Sequence, residues 1–167
     1  GLIVDQYAEH LVVQFLTLGM ECLKPAIIEI LLDQLAPKSI YERSDHESRK
    51  AENLKPVSGE LYGTTPDSII IRETNMDFAV QVKTGQKTGF FLDQRENRDL
   101  IRQLSPGKTV LNLFSYTGGF TVAAHKGGAK EVISVDSSEK ALSLLEENLA
   151  LNGITAPSST VKANVFE

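Results

Sequence analysis

From Arg95 onward the sequence alternates between helical and extended periods, each too short to fold by itself, and that rhythm points to a layered α/β arrangement. RENRDLIRQL reads as a helix, SPGK as a turn and TVLNLF as a buried strand. A small-residue loop then leads into the helix GFTVAAHK, stopped by Gly127 and Gly128. EVISV is the next strand. Ser137 and Ser138 are candidate N-caps for EKALSLLEENLAL, whose Ala141, Leu142, Leu145 and Leu149 share one face, and STVKANVF is a third strand. Strands joined by helices of this length require a parallel sheet with right-handed crossovers.

The first half has a different rhythm, and the change falls between Val82 and Asp93. LIV, the polar stretch Asp5 to Glu9 and the alternating LVVQFLT read as a strand pair. A helix is expected to start near Pro25, to carry Ile27, Ile28, Leu31, Leu32 and Leu35 on one face, and to end at Pro37. SIYE is a short strand, and the polar run Glu42 to Val57 reads as an exposed loop or frayed helix. SIIIRET and MDFAVQV form a hairpin about Asn75.

Composition narrows the function. Seventeen basic and 22 acidic residues give a net charge of −5, without the basic excess of a general nucleic-acid binder. A single cysteine, Cys22, excludes an intramolecular disulfide; it reads as a small buried hydrophobe, and His10, His46 and His125 lack metal-site spacing. His125 reads as a helix C-terminal interaction. The apolar runs fall well short of the about 20 residues of a membrane span, and the N-terminus carries no export pattern, so a cytoplasmic home is expected.

Ligands of open parallel sheets bind beyond the carboxyl ends of the strands, at the first strand-to-helix turn. Here that turn is Phe114-Ser115-Tyr116-Thr117-Gly118-Gly119, whose glycines allow close backbone approach and whose helix start offers free N–H groups. Asp136 ends the next strand, eighteen residues after Gly118, where a carboxylate can accept hydrogen bonds from a ribose diol. The bland alternative is a tight turn and a helix-capping acid. Ser115 and Thr117 stand where the glycines of a dinucleotide fingerprint would be, so a pyrophosphate fits poorly; S-adenosylmethionine, which has no phosphate, fits better.

VLNLFSYTGGF (Val110 to Phe120) followed by VISVDSS (Val132 to Ser138) resembles motif I and the acidic loop of class I S-adenosylmethionine-dependent methyltransferases. KTGFFLDQRENR (Lys87 to Arg98), with YERSD (Tyr41 to Asp45), is more specific and resembles the bacterial 23S rRNA 5-methylcytosine methyltransferases. The resemblance spans essentially the whole chain. It implies a small central α/β domain over residues 1–85, followed over 86–167 by the N-terminal half of a Rossmann-like class I methyltransferase sheet. It further implies a fragment without the family's N-terminal RNA-binding PUA domain, its D-P-P-x-F loop and its cysteine nucleophile, so no catalytic residue is assigned.

The cofactor positions carried over by this resemblance are Gln94, Asn112, Phe114, Ser115, Tyr116, Thr117, Gly118, Asp136, Ser137 and Asn164, the last as an acceptor for the adenine amino group. FFLDQ is expected to be a strand beside the cofactor, with Arg95 either meeting RNA phosphate or a carboxylate, or pairing with Asp93. Arg43, Arg49 and Lys50 read as a solvated face rather than an RNA contact. The implied cofactor is S-adenosylmethionine and the implied substrate 23S rRNA, and the open edge of a half-sheet implies self-association. A nicotinamide oxidoreductase and a non-catalytic RNA-binding module on the same fold are the competing readings.

Overall fold

Leu11, Val13 and Phe15 sit two residues apart, so an extended backbone puts all three on one face, and there the first core forms. In a computed structural model, which describes residues 1–166, they lie on strand β2 (His10–Phe15), antiparallel to β1 (Leu2–Tyr7) across a turn where Ala8 adopts φ 52°. Helix α1 (Leu18–Leu35) crosses over to β3 (Ser39–Ser44), parallel to β2, and β4 (Val57–Gly63) runs antiparallel to β3. The sheet order is β1-β2-β3-β4. Leu11, Val13, Phe15 and Ile40 pack against Met20, Ile27, Ile28, Leu31 and Leu32 of α1.

Several expectations for this half are corrected. The helix begins at Leu18, not near Pro25, because Met20 also joins the apolar face; Pro25 lies well inside it. Leu35 is half exposed at the helix end, and Cys22 is exposed because it faces away from the sheet. The polar run after β3 is exposed almost throughout, Lys50 included, as expected for a loop or frayed helix, but Arg49 and Arg43 are not part of that solvated face. Arg49, on a short 3-10 turn over Glu47–Glu52, is buried, donating to the carbonyls of Phe15 and Lys55 and pairing with Glu21 at 2.8 Å. Burial would raise the Glu21 pKa, but hydrogen bonds from Lys24 and Arg49 hold it below its ordinary value. Arg43 is buried too, its guanidinium donating to the carbonyls of Val82 (2.7 Å) and Gly85 (3.1 Å). The two arginines of this motif region thus serve as internal clamps.

Two compact units are present: Gly1–Ile70 with Val80–Phe90, and Ile71–Ala79 with the chain from Phe91 on. Strands β5 (Ile69–Glu73) and β6 (Met76–Val80) form the expected hairpin, turning at Thr74-Asn75. In the first unit the Tyr7 hydroxyl meets Thr88 Oγ1 at 2.7 Å, and Thr88 donates to Asp5 at 2.5 Å. Thr88 of the KTGFF motif is therefore a fixed point of that unit.

The second unit is the alternating α/β half: α2 (Arg95–Leu104), β7 (Thr109–Leu113), α3 (Gly119–Lys126), β8 (Glu131–Asp136), α4 (Glu139–Leu151) and β9 (Ser158–Lys162). All three strands are parallel, in the order β7-β8-β9, the consecutive arrangement of a Rossmann-like sheet. Ser138 caps α4 by accepting from the Ala141 amide. Val110 and Val132 pack with Ile101, Ala124 and Ala129, whereas Leu111 and Leu113 are exposed; the strand read as buried is covered on one face only. FFLDQ is not a strand: Leu92–Gln94 is a 3-10 turn leading into α2.

Gly127 ends α3 where α2 passes closest, and a Cβ there would fall on the Arg102 carbonyl. Gly127→Ala is expected to cost about 1–3 kcal/mol, as overpacking against backbone does, measurable by urea denaturation.

His125 on α3 makes no helix-end interaction: both ring nitrogens are buried without a partner among the described residues, and desolvation lowers its pKa below 6.5. Below that pH the unfolded chain takes up the proton more readily than the folded one, so this group's contribution to stability falls as pH drops through 6.5 towards the lower folded value. Between pH 7.5 and 5.5 the parent should lose more stability than His125→Phe; equal losses would show that the ring titrates normally.

Candidate functional site

Three parallel strands end at the same edge of the sheet, and the sequence places a different segment at each end: Phe114–Gly118 after β7, Asp136 at the end of β8 with Ser137 and Ser138 after it, and Ala163–Phe166 after β9. They meet. The Phe114 and Phe166 rings lie 5.5 Å apart, and the Ala163 amide donates to the Asp136 carbonyl at 3.1 Å.

Asp136 organises this edge. One carboxylate oxygen accepts from the Tyr116 amide at 2.8 Å, the other from the Ser138 amide at 2.9 Å, and the Ser115 amide donates to the Val135 carbonyl at 2.9 Å. A carboxylate offers about four lone-pair directions, so two remain after these bonds for hydroxyl donors such as those of a ribose. The bland and functional readings of Asp136 are therefore compatible, since tying the loop leaves half of its acceptor capacity free.

The loop is held in an unusual backbone. Phe114, Tyr116 and Gly118 have φ of 58°, 48° and 82°, three left-handed residues in alternation, two of them not glycine. Side chains rarely adopt this conformation, and such residues collect at binding sites where surrounding structure over-determines them. Gly118 has a second reason to be glycine: a Cβ would come within 2.5 Å of Leu145 Cγ on α4. That glycine brings the loop against a helix, beyond any role in ligand approach.

The predicted residues separate into distinct settings. Ser115 is buried, and its Oγ has no hydrogen-bond partner among the described residues, an unmet donor and acceptor inside the loop. Phe114 is exposed at the strand end, and Ser137 is exposed in the β8–α4 turn. The Asn112 side chain donates to Thr121 Oγ1 at 2.9 Å, and Thr121 meets Ser134 at 2.8 Å, so Asn112 ties β7 to α3 and β8. Asn164 Oδ1 accepts from the Phe166 amide at 3.2 Å. Gln94 bonds Asp93 and Asn97, and its turn is brought to the loop by Phe91, whose ring stacks edge-on to Tyr116 at 5.5 Å. Arg95 faces Glu73 of the hairpin at 3.5 Å, an internal partner that the sequence does not point to.

Arg98 and Asn148 hold the site in place, and neither they nor the nearby Asn152 were singled out from the sequence. Arg98 is buried, forks onto Glu73 at 2.8 and 2.6 Å, and donates to the Phe91 carbonyl at 2.9 Å, which fixes the ring that contacts Tyr116. Asn148 donates to the Thr117 carbonyl, and Asn152 anchors the hairpin at Asp77. The available signal for Asn148 was a polar, weak helix former between Leu145 and Leu149, within an otherwise apolar face.

A family model described as S-adenosylmethionine-dependent methyltransferase matches residues 36–163. "Ribosomal RNA large subunit methyltransferase I" of Aeromonas hydrophila is 45% identical over 170 aligned residues, covering 100% of this chain and 43% of that protein. The chain thus spans less than half the length of the curated relatives it matches. Among solved structures, a Streptococcus mutans protein described as a SAM-dependent methyltransferase superposes with a TM-score of 0.86 at 30% identity, covering 99% of this chain and 43% of that one. A methyltransferase solved with SAH also superposes with a TM-score of 0.86, at 29% identity over 99% of this chain and 42% of the other.

Gly118→Ala, strained at φ 82° and clashing with Leu145, should lower stability by about 1–3 kcal/mol. The far-UV circular dichroism of the folded fraction should stay unchanged, because alanine keeps the Gly118 carbonyl that accepts from Val122 at the start of α3.

Proposed function

Since the chain belongs to the S-adenosylmethionine-dependent methyltransferases, we propose that it carries the cofactor-binding part of an enzyme that methylates C5 of a cytosine in large-subunit ribosomal RNA. The observation that carries this reading is the convergence of three loops on Asp136, whose carboxylate holds the Tyr116 and Ser138 amides and whose carbonyl holds the Ala163 amide. The groups at this edge suit an adenosyl amino acid: acceptors for ribose hydroxyls on Asp136, an amide side chain at Asn164 and exposed aromatic surface at Phe114. When bound, S-adenosylmethionine supplies an electrophilic methyl group on a sulfonium centre.

The protein's part in this chain is to bind and orient. Asp136, fixed by two backbone amides, cannot swing away, so its remaining acceptor directions are preorganised. Tyr116 and Phe91 wall the loop with a ring pair, and Gln94 lies in the turn behind them. The rRNA substrate is supported by the name of the relatives, and cytosine C5 by the KTGFFLDQR resemblance. Residues 1–85 would serve as the domain that precedes the methyltransferase sheet, and an rRNA substrate puts the work of the complete protein in the cytoplasm. No D-P-P-x-F loop occurs in these 167 residues, so this stretch alone is expected to bind cofactor without turnover.

Calorimetric titration with S-adenosylhomocysteine tests the reading. Binding is expected, weakened about tenfold or more in Asp136→Ala, the loss expected when a hydrogen-bonded charge is removed. NADH should give no heat. Binding of NADH in place of S-adenosylhomocysteine would sink the proposal, as would methyl-acceptor RNA binding by a chain with no cofactor affinity.

A further inference from the structure

Two asparagines one helical turn apart on α4 do something unusual for helix side chains: they complete the hydrogen bonding of a strand. Asn152 Oδ1 accepts from the Asp77 amide at 3.0 Å, and its Nδ2 donates to the Asp77 carbonyl at 2.6 Å. Asn148 Oδ1 accepts from the Ala79 amide at 2.7 Å. Asp77 and Ala79 are two residues apart on β6, so their backbone groups project from the same edge. The side chains at i and i+4 on a helix match that spacing along a strand, and the two amides stand in for a neighbouring strand.

Asn148 differs from Asn152 in what its second group touches. Its Nδ2 donates to the carbonyl of Thr117 at 2.9 Å, whereas among the described residues the Asn152 side-chain amide bonds only Asp77 and the helix carbonyl of Asn148. Thr117 lies between Tyr116 and Gly118, two of the left-handed residues, and is itself buried. Asn148 has no solvent exposure, so water cannot replace the lost donor. Leu145, one turn earlier on α4, fills the space beside Gly118. One helix thus fixes two consecutive residues of the loop, by a hydrogen bond at Thr117 and by contact at Gly118.

We infer that Asn148 is a positioning residue for the cofactor loop, holding the Thr117 carbonyl so that the Tyr116 amide reaches Asp136 and Ser115 Oγ stays turned inward. The inference rests on the cofactor reading of this site. The same side chain that holds the loop is seated on β6 through the Ala79 amide, so the loop and that strand share one anchor.

The experiment compares Asn148→Ser and Asn148→Asp with Asn152→Ser in the full chain. Asn148→Asp, measured at pH 8 to 9 to keep its carboxylate ionised, keeps the shape and the acceptor for Ala79 but removes the donor to Thr117, and it serves beside Asn148→Ser. Asn152→Ser loosens the same seam without touching the loop. Both Asn148 variants should bind S-adenosylhomocysteine about tenfold more weakly, the size of a lost buried hydrogen bond, while Asn152→Ser loses stability and keeps its affinity. In amide NMR spectra the Tyr116 resonance, hydrogen-bonded to Asp136 in the parent, should move in the Asn148 variants and stay in Asn152→Ser. Equal affinities across the variants, or an unmoved Tyr116 amide, would overturn the inference. A parent chain that binds no S-adenosylhomocysteine would count against the cofactor reading, and the Tyr116 amide would still decide the role of Asn148.

Discussion

Two backbone amides from different loops, Tyr116 after β7 and Ser138 after β8, end on one carboxylate, that of Asp136. Parallel strands bring their carboxyl ends to a common edge, but nothing in a ladder of strand hydrogen bonds controls the loops beyond it. A short acidic side chain at the end of the middle strand does so, because charge-assisted bonds to backbone N–H groups are about twice as strong as neutral ones. The left-handed residues at 114, 116 and 118 can persist only because that anchor, the Thr117 carbonyl contact and the packing of Leu145 together leave the loop no relaxed alternative.

Around this point the second unit is built in a nested way. Glu73 and Arg98 form a buried, bidentate pair, and Arg98 in turn holds the Phe91 carbonyl. A buried pair of this kind gives little net stability in itself, since desolvation offsets much of the attraction, but losing either partner leaves a charge without compensation. Its effect here is geometric. The fork fixes the end of the hairpin relative to the start of α2, and the Phe91 ring arrives edge-on at Tyr116.

How much of this was legible in the sequence differs between levels. The order of strands and helices after Arg95 was readable because each element has a strong period and explicit stops, as at Gly127 and Ser138. That the turn after β7 and Asp136 lie at one edge was readable because a strand-to-helix turn and an acid at the next strand end are local features. The start of α1 was misread because Pro25 marks a helix start by propensity, while Met20 marks it by packing, and packing decided. Arg49 and Arg43 were misread for a related reason: a polar run looks solvated unless its long-range partners, the carbonyls of Phe15 in one case and of Val82 and Gly85 in the other, are known. The same holds for Asn148, whose partners at Ala79 and Thr117 lie 69 and 31 residues away.

The asparagine seam on β6 has a further consequence, for aggregation. A hairpin strand with a free edge presents a row of unpaired amides and carbonyls to which another chain could add. By seating side-chain amides on Asp77 and Ala79, α4 occupies the groups such a strand would use. The hairpin is thereby closed to strand addition along β6 without a third strand, and the protection persists only as long as the helix stays docked.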